Sequence, residues 1–398
     1  MCGFYMTSEQ RVEETLWNSP TTWQAYCDQV CQNQELTQDE QQYVCFGLRV
    51  LGQILGDDFL QHIFRLNLPK GKERHSLVYI LCNRAPSAQL YLGRLGETLK
   101  ALEGVQRFPI LEKSLEDASR FNSAVAHAEV AARFQSADYE IELEPKVGNG
   151  KADVLARKND DEFFIEVSMV GEGSEGRYTR ETANAIWPLV LVRGCIPAGR
   201  IHRILNEGER DKYQGEIEKV IEGVKTEKCC REIEHEGALD IFIAPRDKAE
   251  ELDICLRAKG MEHGCFGPPL TTDQIARVMR RFNDKTSQLP TDKPSIVVVY
   301  ANGLTPFYVA RDQVLEEISR EMEIIMNNRD NIILFVLVVP EGCFETQNRY
   351  ARTDLGNNRT TVQRPLVRGS RENILAVSNM NTRFGCPPEV LDAFLNAG

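Results

Sequence analysis

No apolar run in this chain approaches the ~20 residues that a membrane helix requires. The longest, residues 332–340, is the size of a strand. The opening residues, MCGFYMTSEQRVEE, lack a basic segment followed by an apolar one. No signal peptide is therefore expected, and the expected address is cytoplasmic. Cys-x-x-Cys pairs are absent: the 12 cysteines are scattered along 398 residues. Cys27, Cys31 and Cys45 lie near one another, but no histidine stands at zinc-finger spacing from them. Reduced, mostly buried thiols are expected rather than a structural zinc site. A basic excess is lacking too, since the formal net charge is −12. Sequence-independent nucleic-acid binding usually shows as a basic surface, which lowers that expectation, although an acidic total can hide a local basic patch. Internal repeats and low-complexity segments are not found.

What is present is ordinary globular material, 42% hydrophobic and 27% charged, in a chain long enough for two or three domains. Apolar residues at three- and four-residue spacing predict helices over 22–32, 41–55, 59–64, 78–82 and 90–102. Residues 75–82 fit a strand equally well. Trp17, Trp23, Tyr26 and Tyr43 read as helix-packing anchors. A long helix is expected over 111–135, then strands over 139–143, 151–156 and 162–169, with turns at Gly148-Asn149-Gly150 and at 158–161. Residues 170–182 form a glycine-rich polar loop, read equally as a mobile lip or as a surface loop. A charged helical stretch follows over 201–236. Between residues 206 and 262, 16 acidic and 10 basic side chains suggest a solvated face. Helix over 272–288, buried strand over 295–300, helix over 313–326 and buried strand over 332–339 argue for a mixed α/β sheet. Residues 343–371 hold six arginines (349, 352, 359, 364, 368 and 371) against Glu345 and Asp354. This is the one clearly basic stretch, read either as an exposed loop or as a nucleic-acid contact.

The chain is organised around residues 127–169, HAEVAARFQSADYEIELEPKVGNGKADVLARKNDDEFFIEVSM. Strand alternation sets Phe163, Ile165, Val167 and Met169 on one face and Phe164, Glu166 and Ser168 on the other. On the preceding strand Lys151, Asp153 and Leu155 share a face. Glu129 sits on the helix before them, sharing a face with Val125 and Ala132. Three carboxylates are thus expected at one spot, as a divalent-metal site requires. Magnesium keeps several waters, so Asp153, Glu166 and the Val167 carbonyl suffice as ligands, with Glu129 on a second ion or on a bound water. Exposed carboxylates on alternating strands remain the plainer explanation for either strand acid alone. His127 reads as a packing or surface histidine.

An acid on a helix, an acid after a glycine turn on the second strand and Glu-x-Lys-type spacing on the third resemble the PD-(D/E)XK nuclease superfamily. The resemblance covers roughly 111–170 and extends into 272–300, including RFNDKTSQLPTDKPSIVVV. It implies an α/β chain: a restriction-endonuclease-like mixed sheet flanked by helices, with an all-α N-terminal domain over 1–110. The core would run over 111–340 with an insertion around 171–270, followed by a basic C-terminal extension over 341–398. It implies a Mg2+- (or Mn2+-) dependent endonuclease acting on nucleic acid, DNA before RNA, without a membrane. A homodimer is an expected partner, because many such nucleases pair to cut both strands. The family's lysine would fall at position 168, where this chain has Ser168. Three readings follow. Lys151 substitutes from its own strand, Lys285 substitutes from the second core helix, or the site is degenerate and binds nucleic acid or a protein partner without cutting.

Overall fold

The computed structural model describes residues 20–64, 75–147, 150–170, 190, 193–203, 205–235, 237–261, 265–266, 273–301, 311–342, 351–356, 358–368 and 370–395. The chain divides into two compact units. The larger comprises the described residues of Val12–Gly171 and Ile275–Gly398, and the smaller those of Glu172–Gln274. Among the described residues no helix is long and apolar enough to cross a membrane.

The larger unit begins with six helices: α1 (Trp23–Val30), α2 (Gln38–Ile63), α3 (Ser76–Cys82), α4 (Pro86–Ala101), α5 (Phe108–Glu116) and α6 (Phe121–Ser136). Local chemistry fixes their starts. The Thr22 side chain accepts from the Ala25 N–H before α1, and Thr37 and Glu40 form a reciprocal capping box at α2. Helix α2 runs on through the expected break, kinked at Gly56 with φ 74°. The Trp23 indole donates to the Gly56 carbonyl at 2.9 Å, and the Trp23 N–H to Asp57 at 3.1 Å, which ties α1 to the kink. Residues 76–82 are helical, with the His75 ring accepting from the Leu77 N–H. The single helix expected over 111–135 is two. Asp117 leaves the helix at ψ 116°, and its carboxylate accepts from the Ser119 N–H and hydroxyl, closing a local turn.

Strand β1 (Glu140–Leu143) follows, then the two-residue pair β2 (Lys146–Val147) and β3 (Gly150–Lys151), β4 (Val154–Lys158) and β5 (Asp161–Val170). The strand expected over 151–156 is therefore interrupted: Lys151 belongs to the small β2–β3 pair, and Asp153 lies in a bend before β4.

The smaller unit contains β6 (Cys195–Ile201), α7 (Glu207–Glu227), β7 (Arg231–His235), β8 (Leu239–Pro245), α8 (Ala249–Ala258) and β9 (Cys265–Phe266). Its four strands are ordered β7-β8-β6-β9. The charged stretch over 201–236 is thus part helix and part edge strand. Alternation within β7, REIEH, buries Ile233 against the core of this unit while its glutamates face outward.

The chain returns to the larger unit with α9 (Asp273–Thr286), β10 (Ser295–Ala301), α10 (Arg311–Met326), β11 (Ile332–Gly342), β12 (Ala351–Gly356), β13 (Arg359–Val367), β14 (Ser370–Ser378) and α11 (Pro388–Leu395). One eight-stranded mixed sheet results, ordered β1-β4-β5-β10-β11-β14-β13-β12. Strand β5 is antiparallel to β4 and parallel to β10, and β10 is parallel to β11. All seven residues of β10 are buried, as expected of a parallel strand covered on both faces. One face packs Ile165, Val167, Ile296 and Val298 with the N-terminal helices and α11. The other packs Phe164, Val297, Val299 and Phe335 against Val278 and Phe282 of α9 and Ile318 and Met322 of α10.

Two boundaries drawn from sequence look different in this arrangement. The helices before and after residue 110 share one hydrophobic core with the sheet. The stretch 341–398 supplies three antiparallel strands of that sheet, and Arg364 pairs in register with Glu372. Its arginines hid an alternation that sends Ile374 and Ala376 to one core and Leu375 and Val377 to the other.

Candidate active site

Strand β4 begins at Val154, opposite Ile165 of β5. Beyond that point the Val167 N–H has no β4 backbone partner, and the Asp153 side chain supplies one: Oδ2 accepts from Val167 N at 2.8 Å. A strand residue points its N–H and C=O to the same edge, so the Val167 carbonyl also opens on the Asp153 side. The bend at Asp153 and the short β2–β3 pair before it produce this early parting of β4 from β5.

Glu166 projects from the sheet face that carries Phe164, toward α9. It is 1% exposed. Lys285, in the last turn of α9, places Nζ 2.6 Å from Glu166 Oε2 and 3.5 Å from Asp153 Oδ2. Gln288 accepts from the same ammonium at 3.4 Å. The second carboxylate oxygen of Glu166, Oε1, is buried without a hydrogen-bond partner. Burial and the adjoining Asp153 carboxylate push Glu166 up to about 8, against the opposing pull of Lys285. Burial alone would lower Lys285, but the carboxylates of Asp153 and Glu166 outweigh it and hold the ammonium above the ordinary lysine value.

On the far side of Asp153, His127 of α6 brings Nε2 to 3.7 Å from Oδ2, with the Ser123 hydroxyl 3.4 Å from the same ring nitrogen. His127, Ser123, Asp153 and Glu144 line a cleft of about 140 Å3. The sequence reading of His127 as a packing or surface histidine does not bring it to Asp153. The available signal was its spacing: Ser123 and His127 are one helical turn apart, and their face points away from the Val125 side of the helix.

The expected residues divide into two groups. Asp153, Glu166, the Val167 backbone and Lys285 come together, with Ser168 buried two residues along the same face as Glu166. Glu129 and Lys151 lie apart. Glu129 Oε1 pairs with Arg94 of α4 at 3.4 Å. It belongs to a buried network in which Arg133 donates to both carboxylate oxygens of Glu372 at 2.9 Å, with Tyr300 alongside. Lys151 is engaged by Glu144 at 2.8 Å. Among the described residues no group of three or more His, Cys, Asp and Glu side chains is placed to hold a metal ion.

Of the six arginines between 343 and 371, three have described acidic partners: Arg352 with Asp392 at 3.7 Å, Arg359 with Glu323 at 3.7 Å and Arg368 with Glu40 at 2.8 Å. Arg349 and the polar loop over 171–182 lie outside the described residues. No protein-family profile, curated protein or solved structure matches the chain.

Proposed function

We propose that this protein is a divalent-metal-dependent nuclease of restriction-endonuclease-like fold that hydrolyses phosphodiester bonds in DNA, with RNA the less favoured substrate. One observation carries the reading: a lysine from the second core helix stands against the acid pair, 2.6 Å from Glu166 and 3.5 Å from Asp153. The order α6, β1, β4, β5, α9, β10, with β5 and β10 parallel, supports it, since helix, three strands, helix, strand is the order that the resemblance implies.

The donors suit a hard cation. Two carboxylates that share the Lys285 ammonium, one with a buried unpartnered oxygen, and a backbone carbonyl opening on the same side are the oxygen set that Mg2+ or Mn2+ accepts while keeping its remaining waters. Asp153, Glu166 and the Val167 carbonyl would hold the ion. When bound, the ion polarises the phosphate and acidifies a water. Lys285 balances negative charge that develops on the phosphate and orients the attacking water, the part that Ser168 cannot play without a charge. His127, on the open side of Asp153, is within reach of a group entering the cleft and serves as its proton donor or acceptor.

The test is calorimetric titration of Mn2+ into wild type and Asp153→Asn, followed by cleavage assays on single- and double-stranded DNA and on RNA. Metal binding lost in the variant, with metal-dependent cleavage by wild type alone, is the expected result. Ser168 in the lysine position favours a second reading, a nuclease-fold module that binds nucleic acid or a protein partner without cutting. Metal binding without cleavage on the whole panel selects that reading. Absence of metal binding removes the first.

A further inference from the structure

The six-arginine stretch is not the best surface for a phosphate chain, because Arg352, Arg359 and Arg368 already face acids of their own unit. A second basic surface leads directly to the acid pair. Helix α9 buries Val278 and Phe282 in the core. Counting from them at 100° per residue, Arg277, Arg281 and Lys285 form one row, i, i+4, i+8, along the flank that ends at Glu166. Arg280 stands beside the row, and Asp284 is the one acid between residues 277 and 285. Arg280 and Arg281 are exposed, and neither has an ion-pair partner among the described residues. In a chain of net charge −12, cations left uncompensated next to the acid pair are not explained by solubility. Successive members of the row are separated by four residues, about 6 Å along the helix axis, which is of the order of the step between neighbouring phosphates in a nucleic-acid strand.

We propose that the exposed flank of α9 is the track for the substrate backbone, with Arg281 and Arg280 engaging the phosphates next to the scissile one, which lies at the Lys285 end. This rests on the nuclease reading and names the surface by which that site takes a polymer rather than a free nucleotide. The track recognises phosphate, so it carries affinity and register without base preference.

The experiment measures binding of fluorescein-labelled 20-nucleotide single strands and duplexes by anisotropy, in EDTA so that no cleavage intervenes, from 50 to 300 mM salt. Wild type is compared with Arg280→Glu/Arg281→Glu, with the milder Arg280→Gln/Arg281→Gln and with a matched reversal elsewhere, Arg84→Glu/Arg320→Glu. Melting midpoints establish that each variant is folded, and the Gln pair serves if the Glu pair is not. The α9 reversal is expected to weaken binding at least tenfold. It should also flatten the plot of log K against log salt by about 2, one unit for each phosphate that is no longer neutralised. The matched reversal should change affinity by less than threefold. If wild type binds and cleaves while the α9 variants keep its affinity and salt slope, the track is wrong and the nuclease reading stands. If wild type neither binds nor cleaves any nucleic acid on the panel, both fall.

Discussion

Lys285 on α9 holds its ammonium 2.6 Å from a carboxylate oxygen of Glu166 on β5, 119 positions earlier in the chain. The helix delivers across the sheet face the positive charge that Ser168 lacks on the strand. Lys285 touches both acids, whereas Lys151 is held by Glu144. Of the two lysines considered for the family's role, Lys285 is therefore the one to test, beside the reading in which the site binds without cutting.

Lys285→Met is expected to lower metal-dependent cleavage at least 100-fold, the scale of losing a placed electrostatic group at a reacting centre. Lys151→Met should change it by less than threefold. Single-turnover rates on one DNA substrate, with circular dichroism to establish folding, make the comparison. Equal losses in the two variants would show that Lys285 has no special part.

The protonation of Glu166 gives a pH dependence with a definite sign. Its value rises from 4.5 in the unfolded chain to about 8 in the folded one. Between those values the native state binds more protons than the unfolded state. Stability contributed by this group is therefore fully present at low pH and is lost as pH rises toward 8, by at most about 1.4 kcal/mol per pH unit. Urea unfolding from pH 5 to 8.5 should show this decline in wild type and a flatter curve in Glu166→Gln. Metal uptake must displace the same proton, so Mn2+ affinity should climb with pH until about 8. Calorimetry in two buffers of different ionisation enthalpy counts the proton released.

Glu129 separates structure from site. Its partner is Arg94 at 3.4 Å, inside the buried network that also joins Arg133 to Glu372. Glu129→Gln should leave Mn2+ affinity within threefold of wild type and lower stability. Arg133→Ala, which takes two hydrogen bonds from a carboxylate that is 1% exposed, should cost about 3–5 kcal/mol, and Arg133→Met/Glu372→Leu should recover most of it. Urea midpoints and Mn2+ titrations on the same preparations decide. A large loss of metal affinity in Glu129→Gln would return this residue to the site.

Two glycines should respond to alanine with opposite signs. A Cβ on Gly96 of α4 would fall on the backbone of Gly47 in α2, so that the helices cross through their main chains. Gly96→Ala should destabilise by about 1–3 kcal/mol despite alanine's better helix propensity. Gly215 in α7 has nothing within 4 Å of that position, and Gly215→Ala should stabilise by about 0.5–1 kcal/mol. Thermal melting of both variants checks the pair.

What could be read in the sequence was local. The alternation of β5 correctly sorted Val167 from Glu166, because a period of two is written in consecutive residues. Glu129 was grouped with Val125 and Ala132, and that grouping holds. Its consequence was missed, for those two pack in the core that faces Arg94, whereas His127, about 200° around the helix, turns toward Asp153. The choice of Lys285 depends on α9 docking against β5, and no local pattern specifies that. The C-terminal arginines concealed strands because charge drew attention from the alternate Ile374 and Leu375.

Chain order has a consequence for how the site assembles. Asp153 and Glu166 leave the ribosome well before Lys285, which follows Glu166 by 119 residues. At ~5–20 residues per second this is a delay of about 6–24 s. Throughout that interval the face of β5 that carries Glu166 has neither the α9 side chains that cover it nor the Lys285 ammonium. The site is therefore completed by the docking of one late helix, and a chain that stops short of residue 285 carries both acids of the site without their cation.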